Sequence, residues 1–530
     1  VIPETVEKID DYAFSGNDKI ICIIFTHGDV ELGHQIFKDS HVEEVNFLTK
    51  DIPGTNSDTF SQADSLKAIN VSINYYELYD DKWKNEIDQA SFALLSETDS
   101  SFQTKNGFEY LEMYYRDRSH ATILLNAPTN LIQFDENSIP GVTITEIGQH
   151  AFSECKNLKH VKLSKHINQI DSYAFYGCEA LESIFSENTD SITIQENALE
   201  ITDSWLFDLR YMAFNAKKAI FENDYLPSVT RQMYIPFDGE GYNGGNTYSG
   251  AYFIDESYGG EILYGYARRT DQNGNTVTVE DEFYLINATT DVQGDVATKE
   301  GTFEICTSAF EDVPITSIQF NMTDDMYWID DYAFYGTNLT GELVLPDGLG
   351  PIGQVAFYGS NISKVIFPKT YGNDTDYPAC LWTNTFGGDE SLSEIVFQNA
   401  TPIELFYNKF TEYTFGDMAS EDFHITLSGA AKGLEQKYID AWKYRFIACE
   451  DNDPSVNEEK LNQSVKKIAG LLGYTLPETG TQPDDNQEVV PDVEKAPEDN
   501  QQEVNDEDQN DQQDENKQEA LENEVDENDN

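Results

Sequence analysis

The fold is decided by the stretch Ile170-Asp171-Ser172-Tyr173-Ala174-Phe175-Tyr176-Gly177-Cys178. The same pattern returns at residues 9–16 as Ile-Asp-Asp-Tyr-Ala-Phe-Ser-Gly and at residues 329–336 as Ile-Asp-Asp-Tyr-Ala-Phe-Tyr-Gly. The central phenylalanines of the three copies, Phe14, Phe175 and Phe334, are 161 and 159 residues apart. This long period indicates that the chain is an array of similar cassettes of roughly 160 residues.

A shorter period runs inside the longer one. Phe14, Phe37 and Phe60 are 23 residues apart, and so are Phe152 and Phe175. A unit of this length is too small to bury its own apolar face, so it must stack on the next unit. The chain is therefore predicted to form a solenoid in which each regular coil places one phenylalanine in a shared interior.

Each unit combines a short extended segment, a turn that contains Gly or Asp, a bend around an Ala-Phe pair and another short strand. We therefore predict a mainly β solenoid with short helical or 3₁₀ bends. Alanine stands before phenylalanine because two backbones are expected to approach closely there.

Two stretches depart from the short period and are predicted to be hairpin-containing insertions, at about 72–135 and 230–300. Each contains two runs of alternating apolar residues, which indicate a β-hairpin. The hairpins end in the similar sequences Asn126–Asn130 and Asn287–Asp291, which are 161 residues apart. The long repeat therefore includes the irregular insertions as well as the regular coils.

The character of the chain changes near its end. Residues 1–450 are assigned to the solenoid, with a cap bearing Tyr and Trp at about 425–449. Residues 451–475 are predicted to be a linker with a short amphipathic helix. Residues 476–530 are rich in Asp, Glu, Asn and Gln, and a segment of this composition is predicted to be disordered because it cannot bury enough apolar surface to fold.

The chain is strongly acidic, with 97 Asp and Glu against 33 Lys and Arg and a formal net charge of −64. A surface of this charge repels nucleic acid and anionic membranes, so neither is an expected partner. The sequence shows no membrane-spanning run, and we expect no membrane insertion by the residues given. The chain begins at Val1 inside a repeat, so we expect it to be a fragment or a processed form.

The six cysteines include no Cys-x-x-Cys pair, so zinc-ribbon and redox motifs are absent. Cys155 and Cys178 both follow a repeat phenylalanine by three residues. We predict buried thiols stacked in the solenoid interior in preference to a disulfide, since a chain of this size needs no disulfide framework.

The repeated Ile-x-x-x-Ala-Phe-x-x-Cys motif of residues 147–155 and 170–178, with a spaced leucine at Leu158 and Leu181, resembles the BspA-like (Treponema pallidum-type) leucine-rich repeats. The resemblance covers most of residues 1–450. It implies a right-handed solenoid, a place outside the cell or on its surface, and a role in adhesion or protein binding. The family supplies no catalytic residues to assign here.

Leu476-Pro477-Glu478-Thr479-Gly480 resembles a Gram-positive sortase sorting motif. A working signal is followed by an apolar span and a basic end, whereas this one is followed by Thr481, Gln482 and an acidic segment. Residues 476–480 are therefore only a candidate site of attachment to a cell wall.

The sequence predicts no enzyme, no cofactor and no metal site. Neither a His-Glu-x-x-His metal motif nor a Gly-x-Ser-x-Gly nucleophile elbow is present. Residues 271–282 imitate an EF-hand loop, but Thr276 stands where that loop requires glycine and strands are predicted on both sides. Asn273-Gly274 is better explained as a hairpin turn, and whether calcium binds there stays open.

The best candidate contact surface is a set of tyrosines in and near the second predicted hairpin, because tyrosine offers amphipathic area at modest entropic cost. They are Tyr242, Tyr248, Tyr252, Tyr258, Tyr264 and Tyr266. The alternative is that these rings pack on the solenoid itself.

We predict a non-enzymatic surface or secreted protein that binds a protein or glycan on a host or neighbouring cell through the solenoid face and the hairpins. The alternatives are an acidic spacer without a specific ligand and, more remotely, a glycan-active hydrolase.

Overall fold

The structure is a computed structural model, and it describes fifteen ranges of the chain. They are 1–2, 5–114, 120–195, 197–198, 209–216, 218–221, 233–234, 251–270, 276–321, 327–372, 378–382, 384–388, 391–405, 422–446 and 458–477. The turns of both predicted hairpins and the predicted disordered tail lie outside the described residues, except for Leu476 and Pro477. The chain divides into one unit, Val1–Leu476, and a second unit, Pro477–Asn530.

The first module, residues 1–98, consists of short strands that pair with their counterparts in the next coil. Its strands are β1 (Lys8–Ile9), β2 (Cys22–Phe25), β3 (Glu31–Leu32), β4 (Glu44–Phe47), β5 (Ala68–Ser72) and β6 (Leu95–Thr98), and its helices are α1 (Tyr76–Trp83) and α2 (Gln89–Phe92). One parallel sheet has the order β2-β4-β5-β6, and β1 pairs with β3.

The second module, residues 101–234, begins with an antiparallel hairpin and continues as parallel coils. Its strands are β7 (Ser101–Lys105), β8 (Phe108–Tyr114), β9 (His120–Asn126), β10 (Gln133–Phe134), β11 (Glu146–Ile147), β12 (His160–Leu163), β13 (Gln169–Ile170), β14 (Ser183–Ser186), β15 (Ser191–Ile194), β16 (Tyr211–Phe214), β17 (Lys218–Phe221) and β18 (Met233–Tyr234). They form two sheets with the orders β10-β12-β14-β16-β18 and β17-β15-β13-β11-β9-β8-β7.

The third module, which starts at residue 251, repeats this plan. Its strands are β19 (Tyr252–Asp255), β20 (Ile262–Thr270), β21 (Thr276–Ala288), β22 (Gly294–Ala297), β23 (Thr302–Ile305), β24 (Ile315–Gln319), β25 (Tyr327–Ile329), β26 (Thr340–Val344), β27 (Leu349–Ile352), β28 (Asn361–Ile366), β29 (Cys380–Leu381), β30 (Glu394–Phe397), β31 (Glu404–Leu405) and β32 (His424–Leu427). They form sheets with the orders β19-β20-β21-β23-β25-β27-β29-β31, β22-β24 and β26-β28-β30-β32. A 3₁₀ turn (Gly429–Ala431) and the helices α3 (Glu435–Trp442) and α4 (Glu458–Leu471) follow.

The bend around each core phenylalanine is a turn held by bonds between coils. At Phe334, the residues two before and two after it have positive φ, 59° at Tyr332 and 67° at Gly336. Alternate N–H groups point along the solenoid as a result: Phe334 N donates to Ala356 O at 2.7 Å and Gly336 N donates to Tyr358 O at 2.9 Å. The predicted mainly β solenoid is confirmed, with about 13 turns.

The core phenylalanines stack ring on ring along the interior. Phe334 lies 5.3 Å from Phe310 and 4.9 Å from Phe357, with interplanar angles of 8° and 5°. Phe357 lies 5.3 Å from Phe386. All four rings are buried, and near-parallel aromatic pairs add to the stabilisation that burial provides.

Helices cover the ends of two of these stacks. In α1, Tyr79 and Trp83 are fully buried, and the Trp83 ring meets Phe47 edge-on at 5.0 Å. In α3, Trp442 meets Phe397 at 5.2 Å in the corresponding way. Helices in these positions shield the last coil of the first and third modules from solvent.

Each hairpin covers the outer face of the module before it. The hairpin β8–β9 lies on β2 and β4, and the hairpin β20–β21 lies on β14 and β16. The first junction contains Ile24, Leu48, Leu111, Met113 and Ala121. The second contains Phe185, Tyr211, Ala213, Tyr252, Leu263, Ile286 and Cys306. The predicted single interior is therefore divided among separate clusters, because the hairpin joins modules through their outer faces.

Two of the predicted boundaries differ from the structure. The insertion predicted at 72–135 is two elements, since β6 still pairs with β5 in the first module and only the part from β7 onwards belongs to the hairpin. The predicted linker contains α4, which does not stand apart from the solenoid. Ile468 and Ala469 are buried in the core of the third module because the apolar face of α4 packs against α3.

Candidate interaction surface

The structure corrects the placement of two predicted contact tyrosines. Tyr264 is fully buried, and its hydroxyl accepts a hydrogen bond from Lys299 N at 3.2 Å. Tyr252 is only 3% exposed and lies in the junction with the second module. Tyr252 on β19 and Tyr264 on β20 both face inward, so these two tyrosines fill the interior and offer no surface to a ligand.

The other four predicted tyrosines divide between half-buried positions and the part of the chain not described. Tyr258 donates a hydrogen bond to Ala297 O at 3.1 Å, and the Tyr266 ring lies 5.4 Å from Phe283. Tyr242 and Tyr248 lie outside the described residues. A ligand role for these four tyrosines stays a prediction.

The candidate sorting motif is described only at its first two residues. Leu476 is half-buried against the core of the third module, and Pro477 is exposed. Glu478, Thr479 and Gly480 lie outside the described residues.

The turns that carry the core phenylalanines also present aromatic side chains to solvent. In the aromatic turns, the residues two before and one after the phenylalanine stand on the outside of the bend, because the phenylalanine itself points inward. At Phe357 the residue two before, Val355, is buried instead. Tyr12 and Tyr332 hold the first of these positions and are 51% and 38% exposed. In the second module, His150 and Tyr173 hold it and stack at 5.4 Å with an angle of 8°.

The third module carries three of these aromatic side chains, Tyr332, Tyr335 and Tyr358, here named the tyrosine platform. Tyr335 stacks on Tyr358 at 5.5 Å with an angle of 7°, and Tyr332 lies 5.7 Å from Tyr335. Among the described residues, their hydroxyls have no hydrogen-bond partner. The platform is therefore a preformed row of rings with unengaged polar tips.

A glycine of the next coil, Gly388, leaves room for the Tyr358 ring of the platform. Gly388 has φ of +68°, and a Cβ at this position would lie 2.8 Å from the Tyr358 ring. The Tyr358 ring can therefore lie against the backbone of the next coil only because residue 388 has no side chain.

Sequence reasoning missed this surface, although its signal is in the repeat itself. Tyr332 and Tyr335 belong to the stretch that defines the repeat, and Tyr358 is one repeat further along. The predicted contact residues lie instead in the irregular tyrosine-rich segment. A tyrosine two residues before or one residue after the inward phenylalanine of a repeat is the sequence pattern that could have predicted an outward-facing ring.

A second group of polar residues lies buried where the third module meets the second. His160 Nδ1 is 3.0 Å from Ser183 Oγ, and His160 Nε2 is 3.1 Å from Asp291 Oδ2. Ser183 Oγ also donates to Glu261, whose Oε2 accepts from the Tyr211 hydroxyl at 2.7 Å. The set includes serine, histidine and aspartate, but Ser183 is fully buried, so its hydroxyl cannot reach an external substrate in this conformation.

The acidic and basic groups of this junction cluster are paired with one another. Burial acts to lower the pKa of His160, but hydrogen bonds and charge from Glu261 and Asp291 outweigh it and raise that pKa. Burial acts to raise the pKa of both carboxyl groups, and their bonds to His160 and other donors lower them instead. Lys159 adds an ion pair with Asp291 at 2.7 Å. The cluster joins two modules through paired charges.

Two half-buried carboxyl groups, Glu304 and Asp330, lack a cationic partner among the described residues. Burial and the neighbouring charge of Asp330 raise the pKa of Glu304 to about 8, and burial with the charge of Asp331 raises that of Asp330 to about 6. Cys306 lies beside Glu304 and is fully buried in the same region, which raises the pKa of its thiol. Within the described part of the third module, these acidic groups lie close together without a facing base.

The described cysteines are free thiols, as predicted. Cys155 and Cys178 are fully buried, and burial raises the pKa values of their thiols to about 11 and about 12. Cys178 Sγ lies 3.1 Å from Phe152 O. These thiols fill the coil interior.

The repeat pattern matches a known protein family. The BspA type leucine-rich repeat region, in six copies, matches residues 1–106, 125–232 and 303–426. The chain belongs to this family. The BspA-type assignment agrees with a non-enzymatic repeat protein.

Solved structures that match this chain include two bacterial leucine-rich proteins and a pneumococcal antigen. One from Bacteroides ovatus is 16% identical, with 81% of this chain and 90% of that chain covered and a TM-score of 0.27. A cell surface protein from Faecalibacterium prausnitzii is 14% identical, with 56% and 94% covered and a TM-score of 0.21. The pneumococcal vaccine antigen PcpA is 14% identical, with 66% and 97% covered and a TM-score of 0.23. No curated protein is similar enough to this BspA-type chain to count as a match.

Within the described residues, no helix has both the length and the apolar character that crossing a bilayer requires.

Proposed function

We propose that this chain is a secreted or cell-surface repeat protein that binds a macromolecule on another cell without catalysing a reaction. The tyrosine platform is the observation that carries the proposal. It places three adjacent rings on one outward edge of a rigid stack, where burial of amphipathic rings on binding releases free energy at little entropic cost.

The repeat architecture supports this function. Each coil is fixed by its neighbours through core phenylalanines and backbone ladders, so surface side chains keep their relative positions before a partner arrives. Preorganised groups lose little conformational freedom on association. A repeat protein therefore supplies a rigid, extended set of contacts.

The proposal is tested with the full chain and a platform variant, Tyr332→Ala/Tyr335→Ala/Tyr358→Ala. Both are immobilised on beads and incubated with a panel of human epithelial and bacterial cells, and bound cells are counted. We expect the wild-type chain to retain cells of at least one type and the variant to lose most of that binding.

The matched control is Tyr444→Ala, which removes a tyrosine that is 53% exposed and lies just after α3. It should bind cells as the wild type does, and circular dichroism should show all three proteins folded. Equal cell binding by the platform variant and the wild type would refute the proposed role of the platform. Absence of binding to any cell by the wild type would favour a spacer.

A further inference from the structure

Two carboxylates lie directly beside the tyrosine platform. Asp312 N donates to Tyr335 O at 2.8 Å, and the carboxylate of Asp312 lies against Gly336. Asp331 immediately precedes Tyr332, and its Oδ1 accepts a hydrogen bond from Gln354 N at 2.5 Å. Both aspartates are exposed. The rings are therefore flanked by negative charge held at the surface.

The sequence around the platform contains no base to neutralise these charges. Residues 300–363 include ten Asp and Glu and no Lys, Arg or His. The corresponding stretch of the second module, residues 139–202, contains four lysines, at positions 156, 159, 162 and 165. The absence of bases is thus specific to the module that carries the platform.

The lysines that border this stretch are engaged elsewhere. Lys299 Nζ lies 5.3 Å from the centroids of both the Phe253 and Phe283 rings. Lys364 pairs with Glu342 at 3.5 Å and with Glu394 at 3.3 Å. The acidic character of the platform is therefore not cancelled by its neighbours.

From this arrangement we infer that the tyrosine platform is a docking surface for a basic segment of a partner protein, with Arg or Lys side chains over the rings and between Asp312 and Asp331. The inference rests on the proposed function and names the partner class. Aromatic faces attract cations, and uncompensated carboxylates favour the same charge. The net charge of −64 also draws a cationic partner towards the chain.

The probe is a fluorescent 12-residue peptide of alternating Arg and Ser, and its affinity for the full chain is measured by fluorescence anisotropy in 150 mM NaCl. The variants are the platform triple substitution and Asp312→Asn. The control is Tyr12→Ala, which removes the equivalent outward ring of the first module, where Lys8 pairs with Asp10 at 2.7 Å. A neutral cello-oligosaccharide is titrated in parallel.

The triple substitution should weaken peptide binding by about tenfold or more, since each of the three rings contributes a fraction of that through its interaction with a cation. Asp312→Asn should weaken it by about two- to fivefold, and Tyr12→Ala should leave it unchanged. Peptide affinity that is equal in the wild type and the triple variant would overturn the inference, because general charge attraction would then account for binding. Oligosaccharide binding that depends on the platform, without peptide binding, would also overturn it.

The two proposals fail separately. If the triple variant loses cell binding but keeps peptide affinity, the platform is the binding surface and the partner chemistry is wrong. If it keeps cell binding but loses peptide affinity, the platform recognises basic segments and the cell contact lies elsewhere.

Discussion

His160 and Asp291 lie 131 residues apart in sequence, and His160 Nε2 is 3.1 Å from Asp291 Oδ2 across the junction of the second and third modules. Glu261, on the same hairpin as Asp291, faces His160 Nδ1 at 3.6 Å. Glu182 and Lys159 complete the charged groups around the ring. This histidine therefore connects two modules through charge, whereas the first junction is mainly apolar.

The junction is expected to be most stable between about pH 4.5 and 6.5. The pKa of His160 is raised above its usual value of 6.5, so its contribution is complete below that pH and is lost as pH rises through the folded value. The pKa values of Glu261 and Asp291 are lowered, so their contributions are lost as pH falls through their folded values.

His160→Gln should lower the free energy of unfolding by about 3 kcal/mol at pH 6, since it leaves the buried carboxylate of Glu261 without its cation. The difference from the wild type should shrink as pH rises above 6.5, through the raised pKa of His160. Urea unfolding at several pH values measures this, with His166→Gln as the control because His166 is exposed. A difference that does not change with pH would contradict a charged His160.

Glu304→Gln should stabilise the chain at high pH. The folded pKa of Glu304, about 8, lies above the usual value of 4.5, so the stability provided by its neutral form is lost as pH rises from 4.5 through 8. We expect a gain of about 1–3 kcal/mol at pH 9 and little change at pH 4.

Thermal unfolding at the two pH values measures the effect of Glu304→Gln. The comparison is Glu342→Gln, an exposed carboxylate paired with Lys364, which should change stability by less than about 1 kcal/mol. A Glu304→Gln variant that is no more stable than the wild type at pH 9 would show that Glu304 is already solvated there.

Phe334→Ala should be far more destabilising than Phe14→Ala. Phe334 is fully buried between Phe310 and Phe357, and removing its ring leaves a cavity that costs about 3–5 kcal/mol. Phe14 is half-buried and stacks only on Phe37, at 5.6 Å, so we expect a loss of about 1–2 kcal/mol. Urea unfolding of both variants measures the loss of unfolding free energy at the same repeat position in the third and the first module. Equal losses at Phe334 and Phe14 would contradict a continuous phenylalanine stack in the third module.

Gly353→Ala and Gly359→Ala separate steric contact from backbone conformation. A Cβ at Gly353 would lie 2.5 Å from the carbonyl carbon of Asp330 in the preceding coil. Gly359 has φ of +75°, but its nearest neighbour would be Gly336 Cα at 4.0 Å.

Gly359→Ala should therefore cost only about 1 kcal/mol, the price of a left-handed alanine. Gly353→Ala should cost about 2–4 kcal/mol, because the coils must move apart. Differential scanning calorimetry compares them, and a smaller effect at Gly353 would mean that the coils separate easily.

The sequence predicted the elements that depend on local pattern. The spacing of Phe14, Phe37 and Phe60 indicated the solenoid, and alternating apolar residues indicated the strands of both hairpins. The sequence also predicted a cap bearing Tyr and Trp at about 425–449, the segment that contains α3. These features follow from side chains that each coil must bury against its neighbour. The spacing of the apolar residues in the sequence therefore equals the number of residues in one coil of the solenoid.

The candidate site was less accessible to sequence reasoning. Tyr264 and Tyr332 are both tyrosines on or near strands, yet one is fully buried and the other is 38% exposed. Their difference depends on whether the ring faces a core or leaves a left-handed turn, and that orientation is set by backbone geometry.

By itself, the sequence determined a stack of coils, because one large apolar residue per 23 can be buried only against copies of the same unit. Tertiary structure alone decided that hairpins join the modules by their outer faces, that His160 meets Asp291, and that Tyr335 stacks on Tyr358. These contacts join residues from different coils or modules, and their geometry depends on the twist and register of whole sheets, which no local pattern encodes.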